Sequence, residues 1–306
     1  MNIGHSKEKK MDYRKLIGII VLITIIVVSI GIGIRTYMIN HTYMSSEMHD
    51  VIENYDAKDE VAEALKKYPN CTPSEVITTQ DKDLAIVIDG LLDRGSSQKL
   101  LDLLDKYQIK ATFFIEGQNA ANEQELVKLI SQKQEIGNYT FNGLANFDKQ
   151  PLEYQISSLC RAQKILEMET AKTPELFRAP KTTLNDNLLK AVSASGIKYA
   201  VKENITMQYI ANEKEAKKFV QTLKLGSILA IKTGEPVYQK VQASTKVEER
   251  PAYDKQPTIK EVSDKTKTDK IPLIQQLDYL FKALNEQHIK TVYVSNFRKI
   301  NLVKEK

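Results

Sequence analysis

The chain has 306 residues, of which 42% are hydrophobic and 27% charged, with a formal net charge of +5. This composition fits an ordinary globular protein. Lys7, Lys9, Lys10, Arg14 and Lys15, against Glu8 and Asp12, account for +3 of that charge and leave +2 for all that follows, so no concentrated basic face is available to a nucleic acid and none is expected as a partner.

The basic start is followed by Leu16 to Ile34, a run of about 19 residues without a charged side chain, long enough as a helix to cross a bilayer core. The run and its flanks predict a cytoplasmic tail at 1–15 and a single transmembrane anchor at 16–38. By the positive-inside rule the N-terminus is cytoplasmic and the remainder lies outside the cell membrane. A cleaved signal peptide competes, because Ser29, Gly31 and Gly33 are small, but the apolar run exceeds the roughly 7 to 15 residues of a signal core.

Residues 39–82 read as a polar extracellular stalk, with weak helix over Met44 to Asp59 and Glu60 to Tyr68, then a turn at Pro69 to Pro73, and too few apolar positions at helical spacing for a core. Beyond it, short apolar runs alternate with amphipathic stretches. Strands are predicted at Leu84 to Ile88, Ala111 to Ile115, Glu135 to Asn138, Leu176 to Arg178, Ile197 to Val201, Ser227 to Ile231 and Thr291 to Val294. The helices between them include one capped at Ser96, one opened by Pro151, one ended by Gly196 and one begun at Pro272. Repeated βα units imply a parallel sheet, and about seven of them suffice to curl into a barrel. Residues 235–270, rich in Lys, Glu, Thr, Gln and Pro, read as a disordered insertion on the active face, with an arm or lid as the alternative. Cys71 and Cys160 have no metal-ligand spacing; an oxidising exterior permits a disulfide between them, while Cys160 on a helix face reads more simply as a small hydrophobe.

Three runs are more specific: Lys110-Ala111-Thr112-Phe113-Phe114-Ile115-Glu116-Gly117, then Glu135-Ile136-Gly137-Asn138-Tyr139-Thr140, then Leu176-Phe177-Arg178-Ala179-Pro180. With Gly226-Ser227-Ile228-Leu229 they give a chain that resembles, over about Asp83 to Phe297, the polysaccharide deacetylases with a NodB homology domain, carbohydrate esterase family 4. The resemblance implies an α/β fold, a distorted (β/α)7 barrel over 83–299, and removal of N-acetyl or O-acetyl groups from cell-wall glycans with a zinc or other divalent metal.

The chain departs from the family where that chemistry resides. His5, His41, His49 and His288 leave Asp50 to Gln287 without an imidazole. The family closes its first strand with two aspartates, a general base and a metal ligand; here the strand ends Ile88-Asp89-Gly90-Leu91. Two registers fit, with Asp89 as base and Gly90 at the ligand position, or with Asp89 as ligand and Ile88 as the failed base. The two family histidine ligands correspond to Tyr139 and Gly143, and the histidine that would protonate the leaving amine corresponds to Lys232. Arg178 survives from the family Arg-x-Pro-Tyr motif, with Lys181 in place of the aromatic. At most one of three ligands remains, so the metal is predicted lost and no cofactor is expected.

Asp89, Arg178 and Lys232 are therefore expected to converge at the barrel mouth, with Tyr139 and Lys181 nearby as binding residues. Three readings stand: Arg178 and Lys232 neutralise Asp89 and plug the old cavity; a retained pocket binds an anionic or acetylated sugar; or a buried lysine supports metal-free catalysis. Glu116 and Asp93 read as surface-loop residues rather than replacement ligands. The function that follows is a pseudoenzyme binding or organising wall glycan or peptidoglycan, with an active deacetylase through an altered site and a structural spacer as alternatives. A protein partner is unknown.

Overall fold

The computed structural model describes residues 22, 51–52, 54–79, 82–234 and 271–297. The chain divides into Met1–Val51, of which only Leu22 and Val51 are described, and Ile52–Lys306. The predicted tail, anchor and insertion at 235–270 thus lie, Leu22 apart, outside the described residues; among those described no helix is long and apolar enough to cross a membrane.

The second unit is built on a parallel sheet. Its strands are β1 (Glu75–Ile77), β2 (Leu84–Asp89), β3 (Thr112–Ile115), β4 (Glu135–Asn138), β5 (Leu176–Phe177), β6 (Tyr199–Val201), β7 (Ile205–Thr206), β8 (Ile228–Lys232) and β9 (Thr291–Val292). They lie in the order β1-β6-β5-β4-β3-β2-β8-β7, with β9 also paired to β2. Every pairing is parallel. β2 is central: Val87 to Asp89 lie against β3, Ala85 to Asp89 against β8, and Leu84 and Ala85 against β9. Its unbroken apolar run is what a parallel strand buried on both faces requires. The α/β parallel fold is as expected, and the distorted barrel takes the form of a curled half-barrel whose terminal strands β1 and β7 are not paired with each other among the described residues. Two- and three-residue end strands carry too few ladder bonds to close the ring.

The helices covering this sheet are α1 (Lys58–Lys67), α2 (Arg94–Lys106), α3 (Gly117–Asn122), α4 (Gln124–Lys133), α5 (Leu152–Thr170), α6 (Asp186–Ala194), α7 (Glu213–Thr222) and α8 (Leu273–Glu286). α8 follows Pro272 and buries Leu277, Leu280, Phe281 and Leu284, an apolar stripe at helical spacing. α2 is capped by Asp93, whose Oδ1 accepts from the Ser96 amide at 3.0 Å, so Ser96 is not the cap. A cap of this kind is worth about 1 kcal/mol. α6 ends in a Schellman turn: the Gly196 amide donates to the Ser193 carbonyl (2.9 Å) and the Ile197 amide to Val192 (3.1 Å), with Gly196 at φ +82°.

The lower part of the expected stalk is built into this unit. Val61, Ala64, Leu65 and Tyr68 recur at helical spacing and pack against the cluster of Leu159, Cys160, Val192 and Ala194. β1 pairs with β6 from Glu75 opposite Tyr199 to Ile77 opposite Val201, and the buried Ser74 hydroxyl donates to the Ile197 carbonyl at 2.8 Å. Both cysteines are free, and Cys160 is buried as a small apolar group.

Candidate functional site

The C-terminal ends of β2, β3, β4, β5, β6 and β8 carry the polar groups of the site, the end at which parallel barrels place their chemistry. Asp89 closes β2 and Arg178 follows β5. Arg178 Nε donates to Asp89 Oδ1 at 2.7 Å and Nη2 donates to Oδ2 at 3.0 Å, a two-pronged pair with both side chains under 5% exposed. Nη1 donates to Glu203 Oε2 at 2.7 Å, just beyond β6, and more weakly to the Val201 carbonyl at 3.4 Å. The cluster is carboxylate–guanidinium–carboxylate, not one carboxylate facing several cations as the sequence suggested.

Charge follows from these contacts. Burial raises the Asp89 carboxyl above the ordinary carboxylate range, and Arg178 opposes that rise. Burial works against the Arg178 cation, but Asp89 and then Glu203 outweigh it and hold the guanidinium firmly charged. Burial also pushes Glu203 upward; its contact with Arg178 prevails and leaves it below the usual range.

Lys232 is in register with Asp89 across the β2–β8 pair, yet its side chain is exposed. Its charge reaches Asp89 and Glu203 only as a minor influence, so Arg178 does the neutralising. Lys181 is exposed, with a left-handed backbone at φ +46°. Tyr139 is buried, and burial, reinforced by the Asp89 charge, raises its phenol far above the ordinary value. It is a neutral phenol packed with Phe114 and Leu176 rather than an open binding group.

The loop after β4 is held by its own polar groups. Asn138 is fully buried and donates to the Leu159 carbonyl and to Gln163 Oε1, both at 3.1 Å, while its Oδ1 accepts from the Thr140 amide at 2.8 Å. Thr140, a β-branched residue at φ +65°, is kept there by that bond, by the Gly143 amide on its hydroxyl (3.0 Å) and by the Gly117 amide on its carbonyl (3.0 Å).

Glu116, read from sequence as a surface-loop residue, is partly buried at the end of β3. A Cβ built on Gly90 would lie 3.1 Å from Glu116 Oε1, and one built on Gly143 would lie 3.1 Å from the same atom. Positions 90 and 143 therefore face one point, which favours the register with Asp89 at the base position and Gly90 at the ligand position. Burial raises the Glu116 carboxyl, against donation from Asn119 Nδ2 (3.0 Å) and the influence of the nearby Leu91 backbone. Asp93 is spent as the cap of α2.

A zinc site of the expected kind does not fit these residues. Two ligand positions have no side chain, the third is a neutral phenol, and Asp89 is committed to Arg178. Among the described residues, no group of three or more His, Cys, Asp or Glu side chains is placed to hold a metal ion. Glu203 was the residue missed from sequence; it lies two residues beyond a predicted strand, the signal that could have found it, whereas Glu116, directly after a predicted strand, was named but read as a loop residue.

Comparison with known proteins agrees with this reading of the frame. Residues 77–200 match the family model described as polysaccharide deacetylase. A peptidoglycan-N-acetylglucosamine deacetylase of Bacillus cereus is 33% identical over 123 residues, 39% of this chain and 56% of that protein. The peptidoglycan-N-acetylmuramic acid deacetylase PdaA of Bacillus subtilis is 23% identical over 145 residues, 46% of this chain and 54% of that protein. The chain thus spans about half the length of these curated relatives. Among solved structures, a CE4 family pseudoenzyme from Bacillus anthracis superimposes with a TM-score of 0.55 at 16% identity, covering 75% of this chain and 70% of that one, which shows the shared fold. Over residues 77–200 the chain is thus similar to the polysaccharide deacetylase family.

Proposed function

We propose that this chain is a metal-free, catalytically inactive polysaccharide deacetylase-like protein. One helix at 16–38 holds it at the cell membrane, with its N-terminus cytoplasmic and its domain outside, where it binds wall glycan. The observation that carries the loss of catalysis is the convergence of Gly90 and Gly143 on a carboxylate already present, beside an Asp89 whose two oxygens are taken by Arg178. Deacetylation by this family's route needs an activated water and a free base. Neither has a place in that arrangement. Peptidoglycan as the glycan is supported by the names of the curated relatives.

Asp89 and Arg178 are too buried to touch a polymer, so glycan contact falls to exposed side chains at the strand ends, Lys232 and Lys181. The test uses the full chain in detergent. Bound zinc, acetate released from peptidoglycan, and retention on insoluble wall are measured together. The expected result is no stoichiometric zinc, no acetate above the protein-free control, and retention that falls several-fold in Lys232→Ala/Lys181→Ala while the unfolding midpoint holds. Stoichiometric zinc with zinc-dependent acetate release would sink the inactive reading. Absent retention by the unaltered chain would leave a spacer.

A further inference from the structure

Glu116 and Thr233 occupy the space that ligating side chains would need. The Cβ built on Gly143 meets Glu116 Cγ and Oε1, each at 3.1 Å, and the one built on Gly90 meets Glu116 Oε1 at 3.1 Å and Thr233 Oγ1 at 2.7 Å. A carbon and an oxygen held at 2.7 Å overlap, so one must move. Thr233 is not free to do so, because its hydroxyl donates to the Asp89 carbonyl at 2.7 Å and its amide donates to the same oxygen at 3.1 Å. Glu116 is tethered as well, by Asn119 Nδ2 at 3.0 Å, and the Leu91 backbone lies near enough to favour its charged form. Its carboxylate thus reaches the turn after β2 through Leu91, while its Cγ and Oε1 lie against the backbone of Gly143 without a hydrogen bond to it.

Resting on the metal-free reading above, we propose that Glu116, backed by Thr233, is a built-in lock on the metal centre the family would hold here: it fills the ligand space and excludes the metal even where ligands are put back. Restoring ligand identity alone then does not restore the site. Overpacked positions repel new side chains as surely as missing donors fail to bind.

The experiment titrates zinc alone, by calorimetry, into the full chain in detergent. One variant carries Gly90→Asp, Tyr139→His and Gly143→His; a second adds Glu116→Ala and Thr233→Ala. The expected result is no saturable zinc in the first and one zinc per chain in the second, with a zinc-dependent rise in its unfolding midpoint. Equal zinc in both variants, or zinc in neither, would overturn the lock. Zinc bound by the unaltered chain would instead overturn the metal-free reading on which the lock rests.

Should the multiple variants not fold, Gly143→Ala is compared with and without Glu116→Ala. The left-handed backbone at φ +64° strains alanine equally in both backgrounds, so any difference isolates the contact with Glu116. The drop in unfolding midpoint is expected to be larger with Glu116 present; identical drops would refute the proposal.

Discussion

Asp89 at the mouth of the sheet and Glu169 in the last turn of α5 are carboxylates shut away from solvent to the same degree, with side-chain exposures of 3% and 0%. Asp89 receives two hydrogen bonds from a guanidinium that is itself fixed by Glu203. Neither oxygen of Glu169 has a hydrogen-bond partner, and its ion pair with Lys128 is long, 3.9 Å from Nζ to Oε2. Burial therefore pushes Glu169 up to about 7, with Lys128 opposing and Glu125 adding to the rise. What separates the two sites is the rigidity and fit of the partner. Burial raises both carboxyls, but a planar fork that donates to both oxygens opposes the rise at Asp89, whereas the lysine beside Glu169, 43% exposed, makes no hydrogen bond to it.

The comparison breaks most visibly at Arg178. Arg178→Ala leaves Asp89 buried without its cation and should cost about 3–5 kcal/mol in urea denaturation, while Asp89→Leu/Arg178→Met, which removes both charges, should lose clearly less. A single-variant loss under about 1 kcal/mol would show that the pair is not the fixed unit described.

Glu169 sharpens the other side through pH. Its folded-state pKa is raised, so the stability tied to the neutral acid is fully present below the ordinary glutamate value and is lost as pH rises through about 7. Between pH 6 and pH 8 the unfolding temperature of the unaltered chain should fall relative to Glu169→Gln; a constant offset across that window would contradict the assignment. The smallest effect is expected at Glu203→Gln. That side chain is 32% exposed and Arg178 keeps Asp89, so a loss of about 1 kcal/mol is expected by the same denaturation measurement.

Much of the frame was legible because hydrophobic pattern and backbone chemistry act locally. The apolar run of β2, the Pro272 start of α8 and Gly196 after α6 each announce their element within a few residues. β1 and β7 were not read, since strands of three and two residues take their identity from the neighbours they pair with. At the site, the pairing of Asp89 with Arg178 was anticipated, whereas Lys232 was assigned a neutralising role that its exposed side chain does not fill. Glu203 was overlooked and Glu116 was taken for a surface-loop residue because what they do depends on residues far along the chain: Arg178 for the first, Gly143 for the second.

The backbone at Gly90 and Gly143, at φ +87° and +64°, bears on how the site can be altered as well as on its chemistry. Most side chains at either position meet strain of about 1–2 kcal/mol before they gain a partner. Single substitutions toward a ligand set therefore begin at a cost, and several must be made together before they can share an ion.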